Sequence, residues 1–154
     1  MELSRTWQCH NIVKEIRELA KKFAPSVLCV LETWVHKLRV EGLKRSLGFD
    51  NSFVVSSSSH TGGLGIFWNS EIKLNFLPYS QYHIDAIITE DSNDPWRLTC
   101  VYGEAQTSER NNMLKFIKSS HLPWVCVGNF NEVLHHSEHV GVQDRSSAQI
   151  AGFQ

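Results

Sequence analysis

Three features that would place this 154-residue sequence in a class at once are missing from it. No apolar run approaches the ~18 residues that a transmembrane helix needs, and the N-terminus lacks the apolar segment of a signal peptide. The four cysteines form no CxxC pair of the kind that binds zinc or carries redox chemistry. We therefore expect an intracellular protein, cytoplasmic or nuclear, with reduced cysteines and no membrane partner.

An excess of basic charge is also missing. The chain has 15 Lys and Arg against 16 Asp and Glu, and its pI is about 6.7. Residues 1–48 carry nine basic and five acidic side chains, so residues 49–154 are acidic on balance. Proteins that bind nucleic acid tightly by neutralising phosphates are usually more basic. The charge balance does not support strong, independent nucleic-acid binding.

The apolar pattern predicts helices near both ends of the chain and a group of strands between them. Residues 12–23 place Ile12, Ile16, Leu19 and Phe23 on one helical stripe that ends before Pro25. Residues 26–32 are typical of a strand buried on both faces, and 82–89 and 96–102 alternate as half-buried meander strands do. Further helices are predicted at 36–47, closed by Gly48, at 107–120, and after a capping box of Ser146 and Gln149. The pattern is typical of an α+β fold with packed sheets.

Polar side chains follow three of the predicted strands: Glu32, Tyr102, and Asn129 with Asn131. If these strands are neighbours and run the same way, their ends meet at one edge. A carboxylate there could hold a hard divalent cation, and an amide and a phenol could orient a phosphate. Each residue also has a structural explanation: Glu32 as a solvated carboxylate, Tyr102 as a packing residue, and Asn129 in turn chemistry.

The order of four segments resembles the endonuclease/exonuclease/phosphatase superfamily, to which pancreatic deoxyribonuclease belongs. These segments are LET (31–33), HTGGLGIFW (60–68), VYGE (101–104) and GNFNE (128–132). The sequence is most similar to the endonuclease-like domains of plant LINE-type retrotransposon proteins, over about residues 12–154. The resemblance implies a four-layer αββα sandwich and hydrolysis of phosphoesters with Mg²⁺. It also implies nucleic acid as a partner.

The resemblance assigns a role to each strand-end residue. Glu32 corresponds to the metal-binding glutamate and Tyr102 to the tyrosine near the scissile phosphate. Asn131 corresponds to the asparagine that orients this phosphate. Asn129 stands where the family has the aspartate of its Gly-Asp-Phe-Asn motif, which aligns or deprotonates the attacking water.

The sequence departs from the family in three places. Asn129 has no carboxylate, and a general base typically contributes ~10²–10⁴-fold in rate. The family's first strand carries a Trp-Asn motif, whereas here Trp7 is followed by Gln8. The family's last motif, Ser-Asp-His, has no counterpart before Gln154.

These departures predict a single partial domain, residues 1–154, truncated at the C-terminus and catalytically inactive, because groups that act as a unit fail together. Uncovered sheet edges in such a domain predict self-association. Two alternatives stay open: an active metal-dependent nuclease or phosphatase, and a non-catalytic module that binds nucleic acid or protein.

Overall fold

The computed structural model describes residues 2–33, 37–56, 63–91, 94–102, 121–130, 133, 135–138, 147 and 150, with the backbone alone for 2–11. The chain divides into two compact units, Met1–Lys73 and Leu74–Gln154, which are described separately. The predicted helix at 107–120 and the capping box of Ser146 and Gln149 lie outside the described residues, as does Asn131. None of the described helices combines the length and apolarity needed to cross a bilayer.

The first helix, α1, spans Glu2–Phe23 and therefore begins ten residues before the predicted start. It ends at Phe23, and the next residue, Ala24, has a left-handed φ of 42° and precedes Pro25. The predicted apolar stripe is wrong as a description of the buried face. Ile12, Leu19 and Phe23 are more than half exposed, whereas Ala20 is buried with Ile16 packed beside it. Their partners in this cluster lie far along the sequence, at Val40, Leu47, Phe49, Val54 and Phe67, so local periodicity alone could not identify the inward face.

The predicted helix at 36–47 is two short helices, α2 at Lys37–Glu41 and α3 at Lys44–Leu47. Gly42 lies at the break, where the high conformational entropy of glycine disfavours a continuous helix. The predicted stop at Gly48 is confirmed. Its φ is 87°, and its N–H and that of Phe49 bond back to the carbonyls of Arg45 and Lys44, which is a Schellman motif.

A three-stranded antiparallel sheet belongs to the first unit. Its strands are β1 (Val27–Leu31), β2 (Asn51–Val55) and β3 (Leu64–Trp68), in the order β1-β3-β2. The central strand β3 is buried, with Leu64, Ile66 and Phe67 at 1% exposure or less. The prediction that β1 is buried on both faces is wrong: all five of its residues are partly exposed, because β1 lies at the edge of this sheet.

A four-stranded sheet belongs to the second unit, in the order β4-β5-β6-β7. Its strands are β4 (Lys73–Phe76), β5 (His83–Thr89), β6 (Trp96–Tyr102) and β7 (Trp124–Asn129). β5 and β6 are antiparallel, as the predicted meander requires, whereas β6 and β7 are parallel. The half-buried prediction for β5 and β6 is wrong, because the polar residues of the second face are buried as well: His83, Asp85, Arg97 and Thr99.

The cysteines only partly follow the sequence expectation. Cys29 on β1 and Cys100 on β6 are disulfide-bonded, so the prediction that they are reduced is wrong. Cys126 on β7 is a free, half-buried thiol. Sequence spacing alone does not reveal which cysteines a fold brings within disulfide range. Helices together with two sheets confirm the predicted α+β class.

Candidate functional site

The ends of β6 and β7 carry two of the predicted site residues. The strands are parallel and hydrogen-bonded, and Tyr102 pairs in register with Asn129. Tyr102 is half-buried and its N–H donates to the carbonyl of Tyr82 at 2.8 Å, whereas Asn129 is exposed. The structure therefore places a phenol and an amide side by side at one sheet edge.

Gly128, the first residue of the GNFNE segment, is required by the close approach of these strands. Its φ is 147°, a region that side chains with a Cβ rarely adopt. A Cβ built there would fall within van der Waals overlap of the Val101 backbone. The glycine of the motif thus has a structural role, which is independent of any catalytic role of its neighbour Asn129.

Glu32 lies at the end of β1, which belongs to the three-stranded sheet. The condition that all three site strands are neighbours is met by β6 and β7, which are adjacent in one sheet, and not by β1. Glu32 is exposed and has a φ of 54°, which is uncommon for a residue other than glycine. Strained backbone of this kind is concentrated at functional sites, so the conformation of Glu32 supports its candidacy.

The LET and GGLGIFW segments, which lie far apart in sequence, meet beside Glu32. The N–H of Thr33 donates to the carbonyl of Gly63 at 3.4 Å. Gly63 has a φ of 106°, and a Cβ there would lie 2.4 Å from the Thr33 hydroxyl oxygen. Gly63 therefore allows β3 to begin against the chain that leaves β1, and this contact restricts the backbone next to Glu32.

A buried polar network, which the sequence analysis missed, lies on β5, β6 and β7. The Asp85 carboxylate accepts hydrogen bonds from Arg97 Nε at 2.9 and 3.1 Å and from Thr99 Oγ1 at 2.9 Å. Arg97 also contacts this carboxylate through its terminal nitrogen. Trp124 Nε1 donates to Thr99 Oγ1 at 2.9 Å, and the Arg97 guanidinium lies 5.8 Å from the Trp124 ring centre. The hydrogen bond with Asp85 raises the pKa of Arg97, so this guanidinium stays charged.

This network stabilises the strand pair that presents Tyr102 and Asn129. Thr99 accepts from Trp124 on β7 and donates to Asp85 on β5, so one hydroxyl connects three adjacent strands. Buried polar groups that are fully paired rigidify a structure and define one arrangement. In the sequence, Asp85, Arg97 and Thr99 alternate with apolar residues. This alternation is equally typical of a solvent-exposed face, so it did not indicate a buried network.

His83 is a second buried polar residue that the sequence did not distinguish. Its Nε2 lies 3.1 Å from the Pro78 carbonyl oxygen and its Nδ1 lies 2.8 Å from Ser80 Oγ. A carbonyl can only accept, so Nε2 carries the proton and Nδ1 accepts from the Ser80 hydroxyl. Burial lowers the pKa of His83. The imidazole is therefore neutral and maintains the turn between β4 and β5.

The Mg²⁺ site that the resemblance implies rests on Glu32 among the residues that the structure describes. Within these parts of the chain, no group of three or more His, Cys, Asp or Glu could hold a metal ion. Glu32 is an exposed carboxylate, and Mg²⁺ is normally bound through one or two carboxylates together with substrate phosphates. The Mg²⁺ expectation therefore stays a prediction.

Comparison with known proteins shows the fold. No protein-family model matches the sequence, and no curated protein is significantly similar to it. Among solved structures, D. rerio TDP2 humanised by 14 mutations matches with a TM-score of 0.63 and 14% identity, covering 96% of this chain and 61% of that one. D. rerio TDP2 in complex with a single-stranded DNA product matches with a TM-score of 0.57 and 16% identity, covering 79% and 54%.

TDP2 from C. elegans matches with a TM-score of 0.54 and 12% identity, covering 85% of this chain and 45% of that one. This chain therefore spans about half the length of the structures that it matches. The TDP2 structures belong to the endonuclease/exonuclease/phosphatase superfamily, whose members have the deoxyribonuclease I-like fold. At these identities the likeness establishes architecture and not activity. The chain has the fold of part of a deoxyribonuclease I-like domain.

Proposed function

We propose that this chain is a catalytically impaired relative of the metal-dependent phosphodiesterases and endonucleases, descended from the endonuclease of a plant LINE-type retrotransposon. The proposal combines the deoxyribonuclease I-like fold with the identity of one residue at the end of β7. The segment order LET, GGLGIFW, VYGE and GNFNE supports the retrotransposon origin.

The single observation that carries the proposal is the amide of Asn129. It is exposed at the end of β7, in register with Tyr102 on the parallel strand β6. The resemblance puts the proton acceptor for the attacking water at this position. A side-chain amide has no lone pair basic enough to accept that proton at neutral pH. Loss of a general base typically costs ~10²–10⁴-fold in rate.

Plasmid nicking in Mg²⁺ tests the proposal directly. We expect the wild-type chain to nick supercoiled DNA no faster than its Glu32→Ala variant. The two preparations share every step of purification, so any contaminating nuclease contributes equally to both. Nicking by the wild type that disappears in Glu32→Ala would overturn the proposal and establish the alternative, an active metal-dependent nuclease.

Restoring the carboxylate tests which deficiency matters. Asn129→Asp adds the missing acid, and Asn75→Asp adds the same charge at an exposed position of β4 as a matched control. We expect Asn129→Asp to nick DNA no faster than Asn75→Asp. Gln8 follows Trp7 where the family has an asparagine, and catalytic groups that act as a unit fail together. Strong activity in Asn129→Asp alone would show that the amide is the sole defect.

The non-catalytic alternative is a binding module for nucleic acid. One of the matched TDP2 structures contains a single-stranded DNA product, which favours testing this ligand. Tight binding to nucleic acid usually comes from basic side chains that neutralise phosphates. This chain has a net charge near zero, which argues against such binding. Fluorescence anisotropy with a labelled single-stranded oligonucleotide should show only weak binding that disappears as the salt concentration increases.

A further inference from the structure

One face of the four-stranded sheet is apolar on both β6 and β7. Its side chains are buried on β6 and exposed on β7. Val125 pairs with Leu98 and Val127 pairs with Cys100, so all four side chains lie on the same face of the sheet. Leu98 is 6% exposed and Cys100 is 1% exposed, whereas Val125 is 47% and Val127 is 39% exposed. The apolar face therefore continues from buried side chains on β6 to exposed side chains on β7.

The outer edge of β7 lacks the features that normally prevent strand pairing. β7 is the last strand of the four-stranded sheet among the strands that the structure describes. Natural edge strands are usually protected by charged side chains, prolines or bulges. No charged residue occurs between Leu122 and Asn131, and Pro123 precedes the strand rather than interrupting it. Two such edges can meet without repulsion between like charges.

We propose that β7 is a self-association surface, which pairs antiparallel with β7 of a second copy of this chain about a two-fold axis at Cys126. In this register Val125 lies opposite Val127 of the partner subunit, and the symmetry repeats the pair. If the register shifts by two residues in either direction, one valine of each copy no longer faces a valine. The proposed register is therefore the one that pairs both valines of each copy. Main-chain hydrogen bonds and a shared valine patch stabilise the pair together.

Another exposed apolar surface of the described residues is a poorer candidate for self-pairing. It is the stripe of Ile12, Leu19 and Phe23 on α1. Lys21 and Lys22 accompany it, and the Lys22 ammonium lies 5.2 Å from the centre of the Phe23 ring. Two copies of this stripe would bring lysines together, whereas two copies of β7 bring no charges together.

Sedimentation velocity over a concentration series tests the proposal. We expect the 17.6 kDa monomer to shift to a dimer as the concentration rises through the micromolar range, because one strand pair buries less surface than a standard interface. Val127→Lys should remove the shift. Leu19→Lys on α1 and Leu38→Lys on α2, where Leu38 is 71% exposed, should retain it.

Two outcomes of this series overturn the proposal: a wild-type chain that stays monomeric throughout, or a dimer that survives in Val127→Lys. A dimer lost in Leu19→Lys and retained in Val127→Lys assigns the interface to α1 and overturns it as well. Far-UV circular dichroism confirms that each variant is folded before its mass is interpreted.

Cross-linking at Cys126 tests the register without altering β7. Directly opposed residues of antiparallel strands have Cα atoms about 4.5–5.5 Å apart, within the range of a disulfide. Joining two thiols as a disulfide releases two protons and two electrons, and copper(II) phenanthroline accepts the electrons. Burial raises the pKa of Cys126 to about 11, so little thiolate is present at neutral pH and the oxidation is best run at alkaline pH. In a Cys9→Ser background we expect a covalent dimer that Cys126→Ser abolishes. Absence of the dimer, or its persistence in Cys126→Ser, overturns the pairing.

Discussion

The interior strands of the two sheets are equally buried, but by different chemistry. In the three-stranded sheet, β3 buries Leu64, Ile66 and Phe67. In the four-stranded sheet, β5 and β6 bury Asp85, Arg97 and Thr99, each at 5% exposure or less. Apolar side chains are stabilised one by one as they leave water, whereas buried polar groups are stable only when every partner is present. The comparison teaches that equal burial predicts different responses to mutation.

Removing one member of the polar network is expected to have the largest effect. Asp85→Ala leaves the Arg97 guanidinium buried without its carboxylate, which should lower the free energy of unfolding by about 3–5 kcal/mol. Urea denaturation measures this loss. Asp50→Ala, which removes an exposed carboxylate that accepts hydrogen bonds from Ser70, is the control and should cost much less than Asp85→Ala.

The double variant sharpens the contrast with β3. Replacing both partners, as Asp85→Leu with Arg97→Met, should recover much of the stability lost in Asp85→Ala, because no unpaired charge remains. A double variant that is no more stable than Asp85→Ala would show that the network contributes more than the avoidance of an orphaned charge.

An apolar deletion in β3 should cost somewhat less and should depend on no partner. Leu64→Ala is expected to lower the free energy of unfolding by about 3 kcal/mol through lost transfer energy and a residual cavity. Urea denaturation measures this loss. A loss well below about 1 kcal/mol would contradict the complete burial of Leu64.

Alanine substitutions at the two glycines, Gly48 at a helix end and Gly128 at a strand end, should lower the stability by different amounts. Gly48→Ala places a Cβ in open space at positive φ and should cost about 1–2 kcal/mol. Gly128→Ala should cost more, because its Cβ would overlap the Val101 backbone and separate β6 from β7. Thermal denaturation of both variants tests the order. Equal losses would mean that the strand pair adjusts without strain.

The smallest expected effect is a pH dependence at His83. Its pKa in the folded protein lies below the ordinary value of 6.5, so below about pH 6.5 the unfolded chain binds the proton more readily. Stability should therefore decrease as the pH falls from 7.5 to 5.5. His83→Gln should reduce this decrease, and an equal decrease in His83→Gln would contradict the assignment to His83. Urea midpoints at the two pH values provide the measurement.

Much of the local structure was predictable because it depends on residues close in sequence. The strands at 83–89 and 96–102 follow from their composition and alternation, and the helix stop at Gly48 follows from its conformational freedom. The adjacency of Tyr102 and Asn129 followed from two apolar runs with polar ends, once β6 and β7 proved parallel. The catalytic roles of these residues and of Glu32 and Asn131 stay predictions.

What the sequence determined by itself is therefore the positions of most described elements, the α+β class and the identity of the amide at position 129. Tertiary structure alone decided that β1 belongs to a different sheet from β6 and β7 and that Asp85 pairs with Arg97. It also decided that the Glu32 backbone has a left-handed, positive φ. Periodicity reports which residues share a face of one element. It does not report which distant element covers that face, because that choice depends on contacts between residues remote in the chain.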